Sequence, residues 1–252
     1  MRRLPQRIAA GVYQIALGGV NAFLIDIDDD GVGTAARAAG GGTAPGGLVL
    51  IDTGFARSAG RIGAAIRDLG RGPGDVHAIV VTHLHGDHTG ALAEVKLRTG
   101  AEVWMHPADA ALVRDGVFSR PLEPGPGLVR SAIARLSARR PAQPGEPIAV
   151  EHEVHDGETL PFAGLKAVHT PGHTAGHLAL LLPRDGGVLF IGDAATDFVR
   201  LGGGPIYEDV SEGRESLAKL AALDFEVAAF AHGRAIRVHA GARFRARWSS
   251  AS

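Results

Sequence analysis

His77-Ala78-Ile79-Val80-Val81-Thr82 runs without a break into His83-Leu84-His85-Gly86-Asp87-His88. The first six residues form a short apolar run rich in branched side chains, which reads as a buried strand. The HxHxDH pattern therefore leaves the C-terminal end of a strand, where α/β proteins gather their ligands. His83 and His85 alternate along an extended backbone and can aim at one cation. Asp87 and His88, past the pliant Gly86, can reach a second cation beside it. Imidazole nitrogen and carboxylate oxygen are the ligands zinc accepts when cysteine is absent. A shuffled chain of this composition produces the pattern roughly once in 600 trials, so it is specific.

The same arrangement recurs along the chain. His169-Thr170-Pro171-Gly172-His173-Thr174-Ala175-Gly176-His177 follows another apolar run, with Pro-Gly as the turn. Ile191-Gly192-Asp193 ends a third run, Phe230-Ala231-His232-Gly233 a fourth, and Ile51-Asp52-Thr53-Gly54 a fifth. Five strand ends, each with an Asp or His beside a Gly, fit one rim holding one site. Glycine there lets the backbone approach closely and adopt positive φ.

Between these loops the periodicity predicts strands near 11–17 and 22–27, joined at Gly18-Gly19. Further strands are expected at 77–82, 102–105, 148–150, 165–169, 178–182, 188–191 and 227–231. Helices are expected over 57–69, 90–98, 107–138 (broken by the Pro/Gly cluster 121–127), 211–223 with Ser211 as N-cap, and 239–248. Each half gives strands first and helices after. Two such halves stacked sheet on sheet make an α/β, four-layer αββα sandwich of two mixed sheets with outer helices. The expectation is one domain over 1–252, with a flexible loop insertion at 28–47 and a helical insertion at 107–140 near the site. Phe118, Leu122, Leu128 and Val129 of that insertion are candidates to roof it.

Composition closes off other classes. The 252 residues hold no Cys, which excludes disulfides, thiolate catalysis and thiolate-bound metal. Lys+Arg 26 against Asp+Glu 27 leaves a net charge of -1, no basis for bulk nucleic-acid or anionic-membrane binding. No window of about 18 apolar residues exists to span a bilayer. Gln6, Arg7, Tyr13, Gln14 and Asn21 interrupt what would be the apolar core of a signal peptide, so a cytoplasmic protein is expected.

These motifs, in this order, resemble the metallo-β-lactamase superfamily over nearly the whole chain, in its glyoxalase II-like and lactonase-like hydrolase branch. The resemblance implies that His83, His85 and His173 hold a first metal, and Asp87, His88 and His232 a second. Asp193 would bridge both, and Asp52 would accept a hydrogen bond from a ligand and fix its orientation. His177 reads as an outer or structural partner of the site, and His169 as packed nearby. His77, His106, His152, His155 and His239 have no motif context.

The implied cofactors are two divalent ions, Zn2+ first, with Fe or Mn compatible with the same donors. The implied chemistry is hydrolysis of an acyl compound (thioester, lactone or related ester) by a metal-bridging hydroxide. Asp87 is the candidate for carrying the proton to the leaving group. The partner is then a small-molecule substrate, with neither nucleic acid nor membrane; Arg200, Tyr207 and Arg234 are weak candidates for meeting it. Two rival readings stay open: a mononuclear iron enzyme of the persulfide dioxygenase kind, and a non-catalytic metal-binding protein.

Overall fold

Alternation of side chains along the strands builds the fold. In a computed structural model, which describes residues 4–29, 46–125 and 145–249, the chain opens with β1 (Gln6–Ala9), β2 (Val12–Ala16), β3 (Asn21–Asp26) and β4 (Leu48–Ile51). There follow α1 (Ala59–Asp68), β5 (Val76–Val80), α2 (Gly86–Thr89), α3 (Leu92–Thr99), β6 (Glu102–Met105), α4 (Pro107–Arg114), β7 (Glu123–Pro124) and β8 (His152–Glu153). The second half comprises β9 (Lys166–His169), β10 (Leu178–Leu182), β11 (Val188–Phe190), β12 (Ala195–Asp197), β13 (Leu201–Gly203), β14 (Ile206–Tyr207), α5 (Val210–Ala221), β15 (Val227–Ala229) and α6 (Ala240–Trp248).

Among the described residues the first sheet runs β1-β2-β3-β4-β5-β6-β8, and the second β15-β11-β10-β9. Both are mixed. The first is antiparallel from β1 to β4 and parallel from β4 to β8. In the second, β15 lies parallel to β11, and β10 is antiparallel to both β11 and β9. Strands β9, β11 and β15 thus all point the same way.

Period-two burial sorts the core into layers. Ala22 and Leu24 of β3 face outward with Ile62 and Ile66 of α1, Leu92 and Val95 of α3, and Val113 of α4. Phe23 and Ile25 face inward with Leu178, Leu180 and Leu182 of β10. Ala179 turns to the opposite side, with Leu217 and Leu220 of α5 and Phe244 of α6. The two sheets meet at Phe23 and Phe190, whose rings pack edge to face at 5.3 Å. The result is the αββα sandwich expected from the sequence. Each fully buried aliphatic or Phe side chain contributes about 1.5–3 kcal/mol.

Several boundaries differ from the sequence expectation. Strand β1 was not anticipated, because Gln6 and Arg7 face solvent and only Ile8 is buried. Residues 148–150 are not a strand; the pairing falls at β8 instead. The cap of α5 is Asp209, not Ser211: its carboxylate accepts from Ser211 N at 2.7 Å and Glu212 N at 2.9 Å.

The helical insertion expected over 107–140 is corrected in part. Helix α4 stops at Arg114, Gly116 turns the chain at φ 74°, and 115–125 holds only the two-residue β7, paired with β14. Residues 126–140 of that insertion, Leu128 and Val129 among them, lie outside the described residues, as do 30–45 of the loop expected at 28–47. No helix among the described residues is long and apolar enough to cross a membrane.

Candidate metal centre

Strands β4, β5, β9, β11 and β15 release Asp52, His83, His173, Asp193 and His232 within one to four residues of their C-terminal ends. Main-chain bonds join the two sheets along this rim. Leu178 N donates to Thr82 O at 2.8 Å, and Asn21 N to Ala231 O at 2.8 Å. The five loops therefore converge, although their residues are up to 180 positions apart.

Three ring nitrogens form a nearly equilateral triangle. His83 Nε2 lies 3.1 Å from His85 Nδ1, His85 Nδ1 lies 3.0 Å from His173 Nε2, and His173 Nε2 lies 3.2 Å from His83 Nε2. Beside it, His232 Nε2 lies 3.3 Å from Asp87 Oδ2 and from Asp193 Oδ2. His88 Nε2 lies 3.4 Å from Asp193 Oδ1 and 3.8 Å from Asp87 Oδ2. Three overlapping groups have metal-binding spacing: His83/His85/His173, His83/His88/Asp193 and Asp87/His88/His232. Each draws from both sheets.

The outer hydrogen bonds fix which nitrogen is bare. His173 Nδ1 donates to Ile206 O at 2.9 Å, and His232 Nδ1 to Gly19 O at 2.7 Å, since carbonyls only accept. His88 Nδ1 donates to Asp52 Oδ2 at 2.8 Å. The Thr82 hydroxyl gives its proton to Asp52 at 2.8 Å, so at 3.1 Å from His83 Nδ1 it accepts. In its neutral form, each of these four imidazoles turns a bare Nε2 inward.

Lone pairs do not bond to lone pairs. Nε2 of His88 and Oδ1 of Asp193 are buried and have no hydrogen-bond partner among the described residues. Tetrahedral nitrogens about 2.0–2.1 Å from zinc sit roughly 3.3 Å apart, close to the triangle's edges. The residues present fit a divalent cation.

A model of the metallo-beta-lactamase superfamily matches residues 43–232. The chain belongs to that superfamily. It is 31% identical to "Probable metallo-hydrolase YflN" of Bacillus subtilis, over 89% of this chain and 84% of that protein. It is 32% identical to a hydroxyacylglutathione hydrolase of Pseudomonas aeruginosa over 58% of this chain, spanning 42% of that enzyme. Among solved structures, Rm3 metallo-beta-lactamase superposes with a TM-score of 0.66 at 26% identity, covering 91% of this chain and 78% of that one. MIM-2 metallo-beta-lactamase shares the fold, with a TM-score of 0.68 at 24% identity over 98% and 88% of the two chains. The protein is thus a metal-dependent hydrolase of this superfamily.

The superfamily's acidic and basic groups divide unevenly here. Burial, reinforced by His88, His173 and His85, drives His83 well below the usual histidine range. Burial and the neighbouring His173 bring His85 down to about 3. On the other side burial also opposes charging, but Asp193 with its hydrogen bond outweighs it and raises His232 to about 10. Asp193, Asp52 and Asp87 likewise override burial at His88, which rises well above its ordinary value. The same interactions, led by His88 at Asp87 and His232 at Asp193, hold both carboxylates below the usual range against the effect of burial.

The remaining candidates fall elsewhere. His177 spends both nitrogens: Nε2 accepts from Asp193 N at 2.9 Å, and Nδ1 meets the Thr170 hydroxyl at 2.8 Å. It fixes the backbone of Asp193 and has no lone pair left for a cation. Gly192 leaves room for it, since a Cβ there would lie 2.5 Å from His177 Nε2. His169 stacks on His106 at 4.0 Å and bonds to Ala175 O. Arg200 and Arg234 are exposed, while Tyr207 is buried, its ring 6.5 Å from that of His173. Phe118 packs against the outer core. Sequence reasoning missed Thr82, which no spacing rule flags, and Asp109, whose His106-Pro107-Ala108-Asp109 context reads only as a helix start.

Proposed function

We propose that this chain is a hydrolase that holds two divalent metal ions and acts on an acyl compound: a thioester, a lactone or a related ester. The observation carrying the two-ion reading is the Asp193 carboxylate. It reaches to 3.5 Å from His173 Nε2 in the three-imidazole set and to 3.3 Å from His232 Nε2 in the acidic set. His83, His85 and His173 would hold one ion, and Asp87, His88 and His232 the other, with Asp193 between them. Zinc suits these donors, and iron or manganese would be recognised by metal analysis. When bound, such a pair supplies Lewis acidity and a water acidified toward neutral pH.

The protein's own residues do the rest. Asp87 and Asp193 offset the positive charge of the ions. Asp52 holds the His88 ring in one tautomer and one orientation. Asp87 keeps 28% of its side chain exposed against 8% for Asp193, so it is the more accessible of the two and is placed to hand a proton to the departing group. The acyl class is supported by the partial match to hydroxyacylglutathione hydrolases, of which this chain spans less than half. A net charge of -1 gives no overall attraction for a polyanion, which supports a small-molecule substrate.

Metal analysis of the purified protein and a screen of thioesters, lactones and esters test this reading, with His85→Ala as the inactive control. The expected result is two ions per chain and hydrolysis of at least one acyl class. Asp87→Ala, assayed at metal concentrations that keep both positions filled, should cut turnover by about 100-fold or more, in keeping with a positioned proton donor. Full turnover in that variant removes the proton-transfer role. A single iron with oxygen uptake and no hydrolysis replaces the whole reading with the oxygenase one.

A further inference from the structure

Asp109, on α4, is fully buried and lies outside the group of inward-facing ligands. Its carboxylate accepts four hydrogen bonds. Oδ2 takes Leu84 N at 3.1 Å and the Thr174 hydroxyl at 2.7 Å; Oδ1 takes Gly176 N at 3.0 Å and Arg120 Nη1 at 3.1 Å. Leu84 stands between His83 and His85, and Thr174 follows His173. One carboxylate therefore ties together the two loops that carry the three-imidazole set.

Arg120 extends the tie. Its Nη1 also donates to Glu208 Oε2 at 3.0 Å and its Nη2 to Ala108 O at 2.6 Å. Glu208 Oε2 in turn accepts from Ala175 N at 2.8 Å, and Glu208 N donates to Gly172 O at 2.7 Å. The fit is tight: a Cβ on Gly176 would lie 2.5 Å from Asp109 Cγ, though Gly176 has an ordinary φ. Glycine is needed there for the approach of the carboxylate, not for backbone freedom. A buried carboxylate that meets only donors acts as a rigid strut, because every lone pair it uses fixes one loop atom.

We propose that Asp109, backed by Arg120 and Glu208, is a positioning residue that sets the spacing of the His83, His85 and His173 nitrogens, and so the metal affinity of that set and not of the Asp87/His88/His232 set. The second set has its own supports in Asp52 and Gly19 O, neither of which touches the clamp. The inference rests on the metal-binding reading above.

The test is a zinc titration of the metal-free protein against a competing chelator, the three-histidine step being identified as the one that His173→Ala deletes. Asp109→Asn, which turns two donors against an amide, should weaken that step about 10-fold or more and leave the other step within about 2-fold. Gly176→Ala should do the same from the opposite side. Arg120→Ala, at a half-buried position, should weaken the step less, and Arg120→Lys should recover part of the loss. Val95→Ala, in α3 and away from the clamp, controls for general loosening and should move neither step.

If Asp109→Asn does not fold, Arg120→Ala and Gly176→Ala carry the comparison. Unchanged affinity in the folded variants, or equal weakening of both steps, overturns the clamp. A wild-type chain that binds one ion, still weakened by these variants, removes the two-ion reading and leaves the clamp standing.

Discussion

The two sides of the site use the same ring for opposite ends. His83, His85 and His173 face one another across a buried triangle, and burial with neighbouring imidazoles keeps His83 and His85 far below the usual histidine range. His88 and His232 sit among Asp52, Asp87 and Asp193, and their affinity for protons is raised. A cation meeting His83 or His85 displaces no proton; one meeting His88 or His232 must displace a proton that the carboxylates have drawn in. Neighbours, rather than residue type, decide which imidazole is a ready ligand.

The hardest blow to this contrast is Asp193→Ala. It removes the carboxylate both sides share, so both binding steps should weaken by more than the roughly 10–100-fold typical of outer partners, with activity falling to background. A variant that still binds two ions tightly would show the two sides to be independent.

A selective blow is Asp52→Ala. Its carboxylate accepts from His88 Nδ1, Thr82 N and the Thr82 hydroxyl, so the loss should fall mainly on the acidic side, about 10–100-fold in affinity, with a smaller change at His83 through Thr82. Zinc titration resolves the two steps, and an equal loss at both would erase the distinction.

The gentlest probe is pH, followed by imidazole resonances and stability of the metal-free protein. His85 should stay neutral down to about pH 3, and His232 should stay protonated up to about pH 10. Because His232 binds its proton more tightly folded than unfolded, its contribution to stability is complete below about pH 6.5 and is lost as pH rises through about 10. His85 has the reverse sign: stability is lost as pH falls from about 6.5 toward 3, where the unfolded chain takes up a proton that the folded one refuses. Two rings titrating together near 6.5 would contradict the contrast.

Much of this was legible in the sequence because ligand loops carry dense signals. Apolar runs ending in HxHxDH, PGH, GD and AHG located the strand ends, and period-two burial then dictated two sheets back to back. What escaped was whatever depends on partners distant in sequence. Gln6 and Arg7 hide β1 because an edge strand buries little. Asp209 displaces Ser211 as a cap because either residue satisfies the composition rule and only geometry selects one. Asp109 gives no hint of its role, since its four donors come from three separate segments. Helix α4 ends early because Gly116, in the left-handed region, stops it, where an apolar pattern alone continued.

Every potential metal group among the described residues takes donors from both sheets: His173, Asp193 or His232 from the second joins partners from the first. An ion held there is consequently a cross-link between the two leaves of the sandwich, in a chain that has no cysteine to make a covalent one. Ion binding should then stabilise the closed sandwich by mass action, and chelation should weaken the seam between the leaves.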